Sequence, residues 1–341
     1  MRKKPAIEIV LIFLLAALLL GMYLFYQGGN RSSGSDMDKP MEQTETEGIV
    51  IGVTLASEDF AYQKELGDMI TELAAREEDC TLELCYADWD ANVQIEQMRA
   101  FIEEKVDAVI LSPVNAKSLL NVLKETNQAE IPVINVNMKV DMVSSEYITT
   151  YVGASTEEEA ELAAQMAVDY FDGKSGKVGV IEGAPGSSPQ IDRTQVFLER
   201  IASYPNIEVV GIVNGKWSRS MAGLAALDLL NKNPQLDMIY CHDSNMAIGA
   251  YDMLKSRGKE KDIKVIGIGN SESDMQAVKD GRLYGIVSQP ADYEAYYALV
   301  CARKAISGST LRPWYKNTVE IITRDNVDKY KSPMEGESLK Y

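Results

Sequence analysis

The sequence predicts an α/β protein with two doubly wound, parallel-sheet lobes joined by crossing strands and preceded by an N-terminal transmembrane helix. Three observations support this prediction: a length of 341 residues, apolar runs that alternate with amphipathic stretches, and an uncharged segment near the N-terminus. At about 100–200 residues per domain, the length fits two domains that each bury a core. Continuous apolar strands separated by helices are typical of parallel sheets that are covered on both faces.

The composition restricts the classes of function. The chain has 34 basic and 51 acidic side chains and a formal net charge of −17. A strongly acidic chain is repelled by phosphate backbones, so we expect no nucleic acid among its partners. His242 is the single histidine, which excludes a multi-histidine metal centre and makes any catalytic triad depend on this residue. We therefore expect neither a metal nor a cofactor.

The first 26 residues are expected to form a membrane anchor. Residues 9–26 contain no charged side chain, and Arg2, Lys3 and Lys4 precede them. This length reaches the lower limit for a membrane-spanning helix, and a basic flank belongs on the cytoplasmic side. A cleaved signal peptide is the alternative, but bulky and aromatic residues follow Ala17 where cleavage requires small ones. The localisation expected is the cell membrane, with the soluble body extracytoplasmic.

The cysteines do not decide the compartment. Their even number, four, permits extracellular disulfides, but Cys85 and Cys241 lie in apolar runs where cysteine packs as a small hydrophobic residue. No cysteine precedes Cys80, so we expect no lipid-modified cysteine near the N-terminus.

Strand-like apolar runs alternate with helical stretches in two successive series. The predicted strands are Ile49–Leu55, Leu82–Tyr86, Asp107–Leu111 and Pro132–Val136, then Lys177–Ile181, Ile207–Val213, Met238–Cys241 and Lys264–Ile268. The first predicted helix covers Tyr62–Glu78. Ligands of such sheets bind outside the carboxyl ends of the strands, so two facing lobes predict a binding cleft between them.

The domain boundaries follow from these series and from composition. Residues 27–47 are rich in glycine, serine and acidic residues, which predicts a flexible linker. Two segments, 147–153 and 283–288, are predicted to be strands that pass from one lobe to the other. We assign residues 48–153 and 289–318 to lobe I, and residues 154–288 and 319–341 to lobe II.

Three motifs fail as catalytic or ion-binding signatures. The turn 183–188 lacks the lysine of a phosphate loop, and its serines are expected to cap the next helix. The segment that begins at Asp88 resembles a calcium loop, but Val93 replaces the required glycine. His242 and Asp243 form a possible catalytic pair, although a single histidine after a buried strand is more often a hydrogen-bonded structural residue.

Several short motifs occur in the order and spacing of a known family. They are Ile49–Leu55, Val106–Val114, Ile131–Ile134, Tyr151–Gly153, Pro185–Ser188 with Arg193 and Phe197, Met246–Gly249, and Asp280–Gly281 with Gln289. This series resembles the ribose-binding-protein-like family of type I periplasmic sugar-binding proteins, which are related to the cores of lactose-repressor-type regulators. The resemblance covers about Gly48 to Thr323 and implies the type I periplasmic-binding-protein clamshell.

The resemblance implies a ligand site built from aromatic and planar polar side chains. Phe60 and Trp217 match the two aromatic residues that sandwich the sugar, one from each lobe. Arg193 matches a hydroxyl-binding arginine, and Gln289 matches a polar group on a crossing strand. Apolar faces of a sugar pack on rings while polar side chains bind its hydroxyl groups.

The sequence also departs from the family pattern. The usual Asp-Arg pair is replaced by Asn137 and Met138, and the asparagine of the first loop becomes Glu58. A family asparagine falls on Asp243, and a family aspartate falls on a glycine that precedes Asn270. These departures leave the identity of the sugar open, and the acidic substitutions favour a neutral or weakly cationic ligand over a phosphorylated one.

The resemblance therefore implies a receptor for a small neutral sugar or sugar-like polyol. Its partner would be either the permease of an ABC importer or a membrane sensor kinase. One alternative is a degenerate sugar-binding fold that serves as a protein-interaction domain. Another is an enzyme that uses His242 and Asp243, for which the sequence offers neither a nucleophile elbow nor a metal cluster; we expect a binding protein rather than an enzyme.

Overall fold

The computed structural model describes residues 48–334. The predicted membrane anchor and the predicted linker lie outside these residues. Within residues 48–334, no helix is both long enough and apolar enough to cross a lipid bilayer.

Two six-stranded sheets form the framework of the described residues. The first contains β1 (Ile49–Leu55), β2 (Cys80–Tyr86), β3 (Ala108–Leu111), β4 (Val133–Val136), β5 (Thr150–Gly153) and β11 (Trp314–Lys316) in the order β11-β5-β4-β3-β1-β2. The second contains β6 (Gly176–Glu182), β7 (Ile207–Asn214), β8 (Met238–Cys241), β9 (Lys264–Ile268), β10 (Gly285–Val287) and β12 (Ile321–Thr323) in the order β12-β10-β9-β8-β6-β7. The predicted pair of lobes is confirmed.

Helices cover both sheets. In chain order they are α1 (Ala61–Ala74), α2 (Ala91–Glu104), α3 (Leu120–Gln128), α4 (Thr156–Phe171), α5 (Ser188–Ile201), α6 (Arg219–Lys232), α7 (Ser244–Ser256), α8 (Glu272–Lys279) and α9 (Ala291–Ile306). A short 3₁₀ helix covers Ser144–Tyr147. Helix α9 packs against β3, β4, β5 and α1, so it belongs to the first sheet although it follows the second in sequence.

Between residues 48 and 334, the chain crosses from one sheet to the other three times. The crossings lie between β5 and α4, between β10 and α9, and between β11 and β12. Each crossing follows the carboxyl end of a strand, and the ends of the two sheets therefore face a common cleft.

Two details correct the sequence prediction. Strand β12 pairs antiparallel with β10, so the second sheet is not entirely parallel. Helix α1 ends at Ala74, four residues before the predicted end, and β2 begins at Cys80. The sequence did not predict strands β11 and β12. Each has three residues, of which one is buried (Tyr315 in β11 and Ile322 in β12), and three residues are too few to show a periodic pattern.

The four cysteines all lie within the described residues and are free. Cys241 and Cys301 are buried, while Cys80 and Cys85 are half-buried. Burial raises the pKa of the Cys85 thiol to about 11, so this thiol is unreactive near neutral pH. The disulfide alternative finds no support in the arrangement of these residues.

Replacement of Gly249 by alanine tests the packing of α6 on α7. The added methyl group would overlap the carbonyl oxygen of Arg219 at the start of α6. Alanine normally stabilises a helix relative to glycine, but overpacking here should instead lower the free energy of unfolding by about 1–3 kcal/mol. Denaturant unfolding measures the change.

The matched control is Leu224→Ala on α6, at a side chain that is 56% exposed. It should change the stability by less than about 0.5 kcal/mol. A stabilised Gly249→Ala variant would show that α6 and α7 are less closely packed than described.

Candidate functional site

Aromatic rings from both lobes meet in the cleft. The Phe60 ring, from the loop between β1 and α1, stacks on Trp217 from the loop between β7 and α6, with ring centroids 5.1 Å apart and planes 20° from parallel. Trp89, from the loop between β2 and α2, lies 5.9 Å from Phe60. The predicted aromatic pair is thus brought together. A sugar ring between two aromatic rings needs a separation of about 7 Å, because each carbon contact takes about 3.5–4.0 Å.

The two tryptophans reach the cleft on loops of the same backbone form. Asp88 and Trp89 have φ values of 48° and 62°, and Lys216 and Trp217 have 53° and 58°. Two consecutive non-glycine residues in the left-handed region are strained, and such strain is concentrated at ligand clamps and active sites. Trp217 also requires Gly183 beneath its ring, because a side chain at that glycine would overlap the indole.

Arg193 is buried and forms three hydrogen bonds with protein groups. Its Nε and Nη2 donate to Glu159 Oε2 at 3.0 and 2.6 Å, and its Nη1 donates to the carbonyl oxygen of His242 at 2.6 Å. Both side chains of this ion pair are buried, with exposed fractions of 2% and 0%. The guanidinium carbon also lies 5.9 Å from the centre of the Trp217 ring. Arg193 thus connects α4 to the end of β8 beside Trp217, and Glu159 accepts two of the five hydrogen bonds that the guanidinium can donate.

The lone histidine has a structural role. Its side chain is buried, and the His242 Nδ1 accepts a hydrogen bond from the Gly183 amide at 3.3 Å. Burial and the nearby Arg193 hold the pKa of His242 well below its usual range, so the imidazole is neutral. Asp243 does not bond to it, because the Oδ1 of Asp243 accepts from the Met246 amide and caps α7.

Asn137 and Met138 occupy the end of β4. Asn137 has a φ of 60°, and its Oδ1 accepts a hydrogen bond from Gln63 Nε2 at 2.8 Å. Gln63 also donates to the Ser112 hydroxyl at 3.0 Å, so a buried amide network holds the first-lobe loops. Met138 is fully buried in the apolar cluster that includes both Phe60 and Trp217.

A buried carboxylate that the sequence did not indicate lies beside this network. Glu294, in the first turn of α9, has no exposed surface, and its carboxyl group faces the Tyr62 hydroxyl, the Asn137 side chain and the backbone at Ala154. The Tyr62 hydroxyl is likewise buried and interacts with this carboxyl group. Burial raises the pKa of Glu294 to about 8, and the nearby Glu159 carboxylate acts in the same direction. Glu294 is therefore largely protonated at neutral pH.

A small polar cavity adjoins the aromatic rings. Its volume is about 80 Å³, below the roughly 300–1,000 Å³ of typical ligand pockets. Four of the predicted site residues line it: Phe60, Asp243, Asn270 and Gln289. Asn270 accepts a hydrogen bond from the Gln289 amide at 3.1 Å and donates to the Tyr330 hydroxyl at 3.1 Å. We call this space the polar cavity.

Not every predicted site residue lies in the cleft. The side chain of Glu58 is 60% exposed and forms an ion pair with Lys64 at 3.7 Å. The serines of the turn 183–188 also differ from the prediction. Ser187 stands at the start of α5, but its hydroxyl donates to the Ala184 carbonyl oxygen, while Ser188 Oγ accepts from the Lys139 amide at 2.7 Å across the cleft.

Several cleft residues escaped the sequence prediction. They are Tyr62, Glu65, Trp89, Glu159, Asp274 and Glu294. Trp89 could have been found from its local likeness to the predicted site residue Trp217. Each tryptophan directly follows a charged residue, Asp88 in one case and Lys216 in the other. The acidic residues carry no such signal, because buried and solvated glutamates look alike in a helical pattern.

The fold and the site together define the class of protein to which this chain belongs. Two α/β lobes joined by three crossings, with aromatic and polar side chains at the facing strand ends, form a bilobal binding protein. Residues 51–310 match the family model of the periplasmic binding protein domain. The chain belongs to this family, and the resemblance to ribose-binding-protein-like sugar receptors is confirmed.

Known proteins similar to this chain support the assignment. The D-ribose/D-allose-binding protein of Pseudomonas aeruginosa is 26% identical over 254 residues, 73% of this chain and 76% of that protein. An ABC transporter solute-binding protein from Bacillus halodurans, with bound myo-inositol, is 28% identical with a TM-score of 0.79 over 84% of this chain and 99% of its own. The fructose-binding periplasmic domain of a hybrid two-component system is 25% identical with a TM-score of 0.76, covering 82% and 92% of the two chains. These relatives are sugar-binding proteins and not enzymes.

The buried Glu294 predicts a specific dependence of stability on pH. Its folded-state pKa of about 8 lies above the ordinary value of 4.5. The folded chain therefore holds an extra proton between about pH 5 and pH 8, and stability falls as the pH rises through this window, by at most about 1.4 kcal/mol per pH unit. Glu294→Gln should remove the part of the pH dependence of stability that Glu294 contributes. Denaturant unfolding at pH 6, 7 and 8 measures the change.

Glu208→Gln is the matched control for this measurement. Glu208 is exposed on β7, so the variant should keep the pH profile of the unmodified chain. Parallel profiles for the Glu294→Gln variant and the unmodified chain would contradict the assignment of a buried, protonated Glu294.

Proposed function

We propose that the chain is an extracytoplasmic solute receptor that binds a small carbohydrate or polyol between its lobes and closes on it by hinge motion. The observation that supports this most directly is the facing pair of aromatic rings, Phe60 and Trp217, beside a polar cavity at the carboxyl ends of both sheets. Apolar faces of sugars pack on such rings, and planar amides bind the hydroxyl groups. The relatives named above bind ribose, allose, myo-inositol and fructose.

The two lobes are closed on each other in this structure. The Ala116 amide donates to the Gly186 carbonyl oxygen at 3.2 Å, and the Lys139 amide donates to Ser188 Oγ at 2.7 Å, each across the cleft. Because the aromatic rings are in contact, a sugar can enter only when the lobes separate. Binding is thus coupled to opening and closing, and the closed form places the ligand between groups of both lobes.

We further propose ligand-binding roles for the predicted residues that the cleft contains. Phe60 and Trp217 pack on the ligand, and Asp243, Asn270 and Gln289 bind its polar groups. Asn137 and Met138 shape the first-lobe wall, and Arg193 acts through its contacts with Trp217 and the end of β8. Glu58 has no such role, because its side chain points into solvent.

The proposed location of this receptor is the outer face of a cell membrane. Residues 9–26 are uncharged and follow a basic flank, and the linker 27–47 separates them from the body. Two uses of ligand binding are open at this location: delivery of the ligand to the permease of an ABC importer, and signalling to a membrane sensor kinase. The solute-binding relative favours delivery, and the domain of the hybrid two-component system favours signalling.

Thermal unfolding of the detergent-solubilised chain with pentoses, hexoses and inositols tests the proposal. A ligand at about a hundred times its dissociation constant should stabilise the folded state by about 2.7 kcal/mol. For lobes of this size, that raises the midpoint by about 5 °C or more. A folded protein that responds to no sugar would favour the alternative of a protein-interaction domain.

Substitution of an aromatic ring tests the binding site. Phe60→Leu keeps an apolar side chain but removes the flat face, so the affinity for the stabilising sugar should fall about tenfold or more. Titration calorimetry measures the change.

The matched control is Phe197→Leu, which alters a ring that stacks on Tyr240 in the core of the second lobe, 4.4 Å between centroids. It should lower stability and leave the affinity unchanged. Equal affinities for the unmodified chain and the Phe60→Leu variant would remove Phe60 from the site.

A further inference from the structure

The polar cavity contains carboxylates from both lobes. Glu65 extends from α1 in the first lobe, while Asp243 and Asp274 belong to the loop after β8 and to α8 in the second. When the lobes close, these like charges approach each other across the cleft. Like charges in a poorly solvated space repel one another, so closure is unfavourable unless the negative charge is neutralised.

No free cation of the protein balances this charge within the described part of the cavity wall. Arg219 lines the cavity, but its Nη2 donates to Asp252 at 2.7 Å and its side chain is 51% exposed. The guanidinium of Arg193 is bound by Glu159. The cavity therefore keeps an excess of negative charge.

A second observation indicates that a ligand group belongs next to Asp243. This residue is 5% exposed, and its Oδ2 is buried without any hydrogen bond, although its Oδ1 caps α7. A cap needs one oxygen only, and an asparagine would supply it equally well. Asp243 lines the polar cavity, and its unused carboxylate oxygen is free to accept a hydrogen bond from a donor on the ligand.

The donor is an organic cation rather than a metal ion. Among residues 48–334, no three acidic, histidine or cysteine side chains are grouped closely enough to hold a metal. Neutral polar side chains line the same cavity: Tyr62, Ser244, Asn270 and Gln289. Such groups bind hydroxyls, so the wall offers partners for hydroxyl groups as well as partners for a positive charge.

We infer that the ligand of this cleft carries a protonated amine together with its hydroxyl groups, as in an amino sugar or an amino polyol. This inference rests on the proposed function and specifies its ligand class. The ammonium group binds to Asp243, whose Oδ2 has no hydrogen-bond partner, and the Glu65 and Asp274 carboxylates on the same cavity wall add to the attraction. Its positive charge thereby offsets the repulsion between the carboxylates of the two lobes.

Protons compete with such a ligand. Burial raises the pKa of Asp243 to about 7, against the opposing effect of Arg193, and Asp274 acts in the same direction as burial. Burial likewise raises the pKa of Glu65 to about 7, helped by Asp274, Asp292 and Asp68. Both carboxyl groups are thus partly protonated at neutral pH, and an ammonium ion that binds to them releases protons.

Matched pairs of sugars test the inference on the detergent-solubilised chain. Glucosamine, galactosamine and mannosamine are compared with glucose, galactose and mannose, and with the three N-acetylated forms, by titration calorimetry at pH 7. At least one amine should bind ten times or more tightly than both its hydroxyl and its N-acetyl counterpart. Repetition in buffers of different ionisation enthalpy should show net proton release.

Substitutions locate the charge recognition. Asp243→Asn keeps the cap of α7, and Glu65→Gln keeps the shape of the side chain, so both variants should fold. Each should reduce the preference for the amine about tenfold or more and reduce the proton release. The control is Glu72→Gln on the same helix as Glu65, at a side chain that is 71% exposed, and it should leave both quantities unchanged.

The outcomes separate this inference from the proposed function. Binding of a neutral sugar as tightly as its amine would overturn the amine class and leave the sugar receptor standing. A preference that survives both substitutions would overturn the assignment to Asp243 and Glu65. A folded chain that binds none of these sugars would overturn the receptor and the amine class together.

Discussion

The contact between Phe60 and Trp217 sets the distance between the two lobes, with 5.1 Å between the ring centroids. Trp89 lies against the Phe60 ring, and Met138 joins the same apolar cluster. Because this cluster contains residues of both lobes, it excludes water from the facing strand ends. The burial of His242, Asp243, Glu159 and Glu294 follows from that exclusion.

Apolar contact and charge burial act against each other in this cleft. The rings favour the closed arrangement, since they remove apolar surface from water. The carboxyl groups oppose it, because a buried carboxylate loses its hydration and is stable only when it is protonated or paired. Glu159 is paired with Arg193, whereas Glu294 and Asp243 have raised pKa values of about 8 and about 7. The balance between the two effects depends on proton concentration and on any positive charge that enters the cleft.

The sequence predicted the architecture well because most strands are continuous apolar runs. The boundaries of β1 and β8 agree with the prediction, whereas β11 and β12 are too short to carry a pattern. In the site, Phe60 and Trp217 were predicted to sandwich a sugar, and the structure brings the two rings together in the cleft. The side chain of Arg193 could not be placed from sequence, because its partner Glu159 lies 34 positions away on another helix. Burial of Glu294 is equally a product of tertiary packing, since α9 packs on the first sheet although five strands of the second sheet separate it in sequence from β5.

The late position of α9 and β11 affects how the protein is made. The apolar cluster of the first sheet includes Leu299 and Tyr315 as well as residues of β1 and α1. A ribosome releases the chain from its N-terminus, so this cluster stays unfinished until the whole second sheet except β12 has been synthesised. The second lobe, from α4 to β10, is nearly continuous in sequence and can assemble first. The first lobe then exposes apolar strands during most of translation and export, a stage at which chaperone binding and degradation compete with folding.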